Sequence, residues 1–124
     1  MKYEIKPDDE AGILRMIIHG ALEKPDVDEM MPQVAKELDK MKRRLVLVDM
    51  SRDKNPSSMS REARKVYGEH AAVIKPEKVA MIGTNPVTRM ISRIALTVTG
   101  RAKVTKFFPF EEETLVWLKG EKKK

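Results

Sequence analysis

Two uninterrupted apolar runs, Leu45-Val46-Leu47-Val48 and Val79-Ala80-Met81-Ile82, limit what this chain can fold into. A strand with one face in water alternates apolar and polar residues. A run with no polar position suits a strand covered on both faces, as in a parallel sheet. The first run stops at Asp49 and the second at Gly83-Thr84-Asn85-Pro86, both of which are turn chemistry. Between them, Ala63, Val66, Tyr67, His70, Ala71 and Ile74 share one side of a helix that Pro76 closes. Strand, helix and strand in this order make a right-handed crossover between parallel neighbours.

The flanking sequence extends the pattern. Residues 3–6 read as a short extended segment, 7–12 as a turn and 13–18 as a strand, so the chain opens with a hairpin that adds one antiparallel edge strand. A helix starts at Pro25 and Asp26 and carries Val27, Met30, Met31, Val34, Leu38 and Met41 on one face, with Pro32 early in it. A methionine stripe of this kind can line an adaptable groove, but ordinary core packing is the preferred reading. Val87, Met90, Ile91, Ile94, Ala95 and Val98 predict a further helix that stops at Gly100. Residues 103–108 read as the last strand. Residues 111–119 read as a closing helix with glutamates in its first turn, where the helix dipole favours them.

The order β-β-α-β-α-β-α-β-α predicts an α/β domain: a mixed, mostly parallel sheet of about five strands with four helices. The predicted core contains Val34, Leu38, Leu47, Val66, Met81, Ile91, Ile94 and Leu118. The strands are apolar on both pleat faces. If helices cover mainly one face, the first helix crossing over, a dimer partner or an apolar ligand must cover the other.

At 124 residues the chain suits one domain over 1–124, with the basic tail 120–124 expected to be disordered. There is no cysteine, which excludes a disulfide framework, a thiol nucleophile and a cysteine zinc site. The net charge of +6 could attract nucleic acid, anionic lipid or an acidic partner. Nucleic acid is disfavoured, because no aromatic-rich binding strand or known motif accompanies the charge. No apolar run approaches the roughly 20 residues that span a bilayer. The opening MKYEIKPDDE lacks the charged-then-apolar pattern of a signal peptide, so a cytoplasmic protein is expected. His19 and His70 are the only histidines and have no carboxylates at ligand spacing. No metal, cofactor or Ser/His/Asp set is predicted, and His70 is read as a packed side chain.

Three stretches, "RRLVLVDMS", "YGEHAAVIKPEKVAMIGTN" and "TGRAKVTKFFPFEEETLVWL", together with the element order, resemble the STAS domain of sulphate transporters and anti-sigma-factor antagonists. More narrowly, they resemble its SpoIIAA-like, STAS/CRAL-TRIO-like group. The resemblance covers nearly the whole chain and implies a β-α superhelix with helices mainly on one face of the sheet. It also implies a switch site. Antagonists of this kind carry a strand ending Asp-Leu-Ser and then a loop ending Asp-Ser-Ser-Gly, whose first serine accepts phosphate from a kinase.

Asp49-Met50-Ser51 matches the strand end, and the family spacing brings Ser58 to the phosphoacceptor position. Ser57 stands where the family has aspartate and Met59 where it has glycine. The flanks that a kinase would read are therefore missing. Asp49, Ser51, Ser57, Ser58 and Ser60 form the first candidate site, as a phosphoacceptor, an anion-binding loop or a helix cap. Capping is the simplest role for a serine before a helix. The second candidate is Gly83, Thr84, Asn85, Arg89 and Arg93, at the edge where open α/β sheets bind ligands. An anion or lipid head group would suit it, and so would a plain turn with Pro86 at the first helical position. The helix over 87–98, flanked by Arg89, Arg93 and Arg101, could lie against an anionic membrane, although a core-packed helix explains it more simply.

The sequence is read as a non-enzymatic binding or regulatory module that acts through a protein partner or a homodimer. The alternative is a carrier or sensor of a lipid or other apolar or anionic small ligand, peripheral at the membrane.

Overall fold

The computed structural model describes residues 3–20, 22–51, 60–83 and 104–120. Five strands form one sheet in sequential order: β1 (Tyr3–Asp8), β2 (Ile13–Ile18), β3 (Leu45–Asp49), β4 (Lys78–Ile82) and β5 (Thr105–Phe108). β1 and β2 are antiparallel, and β2 through β5 run parallel. Among the described residues there are three helices: α1 (Lys24–Leu38), α2 (Arg61–Ile74) and α3 (Glu111–Lys119). The helix expected over 87–98, with Ile91 and Ile94, lies outside the described residues, as does most of the basic tail.

The pleat divides the core in two. On one face Leu14, Met16, Val46, Val48 and Val79 pack against α1 and α2 through Val27, Met30, Val34, Leu38, Ala63 and Val66. The methionines at 30 and 31 are 1% and 3% exposed, so the stripe is core. On the other face Ile13, Leu45, Leu47, Ala80 and Ile82 pack against Leu118, with Leu115 and Trp117 alongside. The closing helix therefore covers the second face in this region, an option the sequence reading did not consider. Each of these large side chains contributes roughly 1.5–3 kcal/mol by leaving water.

Three expectations need correction. The first strand continues through Pro7 and Asp8, so the turn begins at Asp9. Pro7 is tolerated there because β1 is an edge strand with a ladder to β2 only among the described residues. Met81 is half-buried rather than buried, because it stands beside β5, whose own residues are only partly covered. His70 is a partly exposed bridge between helices: its Nε2 lies 3.1 Å from Asp28 Oδ1.

Helix ends are closed by specific groups. Ser60 caps α2, its Oγ accepting from Ala63 N–H at 3.1 Å. Asp26 accepts from the backbone N–H of Glu23 at 2.8 Å before α1. The C-terminal carbonyls are met by cations. Arg44 donates to Ile74 O at 2.7 Å, Arg43 to Lys119 O at 3.1 Å and Lys78 to Trp117 O at 2.8 Å.

Candidate functional site

The C-terminal edge of the parallel sheet gathers Asp49, Ser51 and Gly83. β3 and β4 run in register there, with Asp49 opposite Ile82, and Met50 N–H extends the ladder to Ile82 O at 2.9 Å. Asp49 then folds the chain into a tight corner. Its Oδ1 accepts from both the N–H and the Oγ–H of Ser51, at 2.9 and 2.5 Å. Such a turn ends a strand without leaving a donor unpaired.

Gly83 packs directly under this corner. It has φ of +78°, and a Cβ built on it would lie 2.3 Å from Ser51 N and 2.4 Å from Ser51 Cα. Only glycine allows the two backbones to approach so closely. The sequence reading placed Gly83 in a ligand-binding turn; the structure gives it a packing role against the other candidate loop. The two candidate sites thus meet at Ser51 and Gly83.

The far end of the β3–α2 connection is also fixed. Ser60 N–H donates to Leu22 O at 3.2 Å, and Ser60 Oγ caps α2. Leu22 was not singled out by sequence, because a backbone carbonyl leaves no residue-type signal. The connection is therefore held by Asp49, Gly83 and Met50 at one end and by Leu22 and the α2 cap at the other. Ser51 is exposed, and Asp49, Ser60 and Gly83 are half-buried. Ser57, Ser58, Thr84, Asn85, Arg89 and Arg93 lie outside the described residues.

Chemically, the corner offers a carboxylate engaged by Ser51 and an exposed hydroxyl. Among the described residues no group of three or more histidines or carboxylates could hold a metal ion. No helix among them is long and apolar enough to cross a membrane.

The sequential five-stranded sheet, with its antiparallel first strand, is a SpoIIAA-like fold. The chain belongs to the family described as Domain of unknown function (DUF7793), whose model matches residues 10–122. Solved structures share the fold. An uncharacterized DUF3478-family protein with a SpoIIAA-like fold from Shewanella loihica PV-4 is 22% identical, over 94% of this chain and 91% of that one, with a TM-score of 0.63. The anti-sigma factor antagonist SpoIIAA in its unphosphorylated form is 10% identical, over 98% and 99%, with a TM-score of 0.62. An anti-sigma-factor antagonist (STAS) domain protein from Planctomyces limnophilus is 14% identical, over 94% and 97%, with a TM-score of 0.61. No curated protein matches the sequence.

Proposed function

We propose that this chain is a non-enzymatic STAS-type regulatory module that docks a protein partner on the C-terminal edge of its sheet and the first turns of α2. The observation that carries the reading is the double anchoring of the β3–α2 connection, by Gly83 beneath Ser51 and by Leu22 and the Ser60 cap. Margins fixed before binding, at Ser51 and Ser60, lose little conformational freedom when a partner docks, which favours a specific one. The fold neighbours named as anti-sigma factor antagonists support a partner that is a protein.

Capping by Ser60 also bears on Ser57 and Ser58. The cap is already supplied, and neither serine has the acidic and glycine neighbours of the resembled switch. The module therefore binds without needing phosphate on Ser58. The carrier reading is supported less well. α1 and α2 fill one face of the sheet and α3 packs on the other, so the described core favours docking over internal storage.

The test uses Arg61→Glu/Lys65→Glu, two exposed changes in the first turns of α2. Glutamate near a helix N-terminus is favourable, so the variant should stay folded. Chemical crosslinking in the native host, followed by reconstitution with the identified protein, should show binding that this variant weakens at least tenfold. Binding equal to wild type would refute the placement of the surface. An organic extract of purified protein should contain no stoichiometric lipid; if it does, the carrier reading replaces this one.

A further inference from the structure

The opposite end of the sheet gathers cations from three separate segments. Residues 36–44 carry five cations and two carboxylates, residues 75–78 two and one, and Lys119 adds another cation. That is eight against three, a net of +5, from segments far apart in sequence. The fold brings them together, because the C-terminal ends of α1, α2 and α3 all arrive where β3 and β4 begin. Glu77 N–H donates to Arg44 O at 2.8 Å, and Arg43 reaches both Glu77 and the carbonyl of Lys119. Beyond Gly120 the sequence continues Glu121-Lys122-Lys123-Lys124, which the count above leaves out.

We propose that this N-terminal edge is an electrostatic docking surface for an anionic phospholipid bilayer. The inference is independent of the protein-docking edge, which lies at the other end of the strands. Two observations favour lipid over nucleic acid. First, the arginine forks suited to bidentate phosphate recognition are already engaged within the protein. Arg43 holds the Glu77 carboxylate and Lys119 O, and Arg44 holds Ile74 O and Asp39. The cations left unengaged are lysines: Lys36, Lys42, Lys75 and Lys119 are exposed and have no ion-pair partner among the described residues. Flexible point charges suit a fluid surface of mobile head groups.

Second, the chain's one tryptophan is not open for stacking on bases. Lys78 Nζ lies 5.2 Å from the centroid of the Trp117 ring and Lys106 Nζ 6.0 Å, while Phe108 packs at 5.7 Å. The surface has an acidic boundary on its β1–β2 flank. There Asp8 pairs with Arg15, and Asp9 and Glu10 are exposed in the hairpin turn.

The test is co-sedimentation of the full chain with vesicles of phosphatidylcholine alone, or of equal parts phosphatidylcholine and phosphatidylglycerol. Binding should require phosphatidylglycerol and weaken as salt shortens the screening length. Lys42→Gln, Lys75→Asn and Lys119→Gln should each lower partitioning about fivefold. Asparagine is chosen at 75 because that residue closes α2 in a left-handed conformation, with φ of +54°. A control triple, Lys24→Gln/Arg61→Gln/Lys65→Gln, removes three charges from the other end and should bind within about twofold of wild type. Circular dichroism checks the fold of all four variants. Three results would each overturn the proposal: equal binding to neutral vesicles or none to either, an equal loss in the control triple, or an oligonucleotide that binds more tightly than the anionic vesicles at the same salt.

Discussion

Gly83 and Ser51 are in backbone contact: a Cβ on Gly83 would sit 2.3 Å from the Ser51 nitrogen. Gly83→Ala therefore meets two penalties, the clash and a φ of +78°. Backbone atoms cannot swing aside as a side chain can. The substitution should destabilise the domain by about 1–3 kcal/mol or more. Equilibrium denaturation reads this directly. A loss below about 0.5 kcal/mol, the range of a surface change, would mean that the corner does not close on Gly83.

Ser60 and Ser58 should behave differently from each other. Ser60→Ala removes the α2 cap and should cost about 0.5–2 kcal/mol, while Ser60→Asp, which keeps an acceptor, should cost much less. Ser58→Ala should leave partner binding unchanged. Intact-mass analysis of protein from the native host is expected to show no stoichiometric phosphate. A phosphate on Ser58, lost together with binding in the alanine variant, would make the loop a switch.

The half of the core that α3 covers can be weighed from both of its sides. Leu47 and Leu118 are both fully buried, on the sheet and on α3 respectively. Each changed to alanine should cost about 2–5 kcal/mol in a denaturant titration. A small loss at Leu118 alone would mean that α3 does not cover that face.

The sequence carried some of this and hid the rest. The parallel strands were legible because residues 45–48 and 79–82 have no polar position, and β3 and β4 follow them within a residue. The cover on the second face was not legible. α3 buries only Thr114 and Leu118 fully, too few to form a stripe. Asp49, Ser51 and Gly83 were each visible as turn residues, but their meeting depends on the β3–β4 register, which no local pattern encodes. The basic edge was hidden for a similar reason. Its cations lie in three separated segments and look like ordinary solvated charge until the helix ends converge.

Acid should weaken the β1–β2 hairpin through Asp8. The N–H of Ala11 and then Arg15 hold its carboxyl below the usual range. A depressed folded value contributes stability that is complete above the unfolded value of about 3.9. As the pH falls below that, the unfolded chain takes up the proton first, and the contribution is lost by the time the folded carboxyl titrates. Glu4, Asp28 and Glu77 are shifted in the same direction, so the comparison must be with a variant. Asp8→Asn should lose less stability than wild type between about pH 5 and pH 2. Parallel curves in a pH series of thermal melts would contradict this.

The most direct test of the protein-docking reading is site-specific photo-crosslinking in the native host. A photoreactive residue replaces Glu62, exposed in the first turn of α2 beside the Ser60 cap. A matched probe replaces Glu112, exposed on α3 across the sheet. The account predicts one discrete protein adduct from position 62, abolished by Arg61→Glu/Lys65→Glu, and none from position 112. Adducts of equal yield from both positions, or none from position 62, would contradict it.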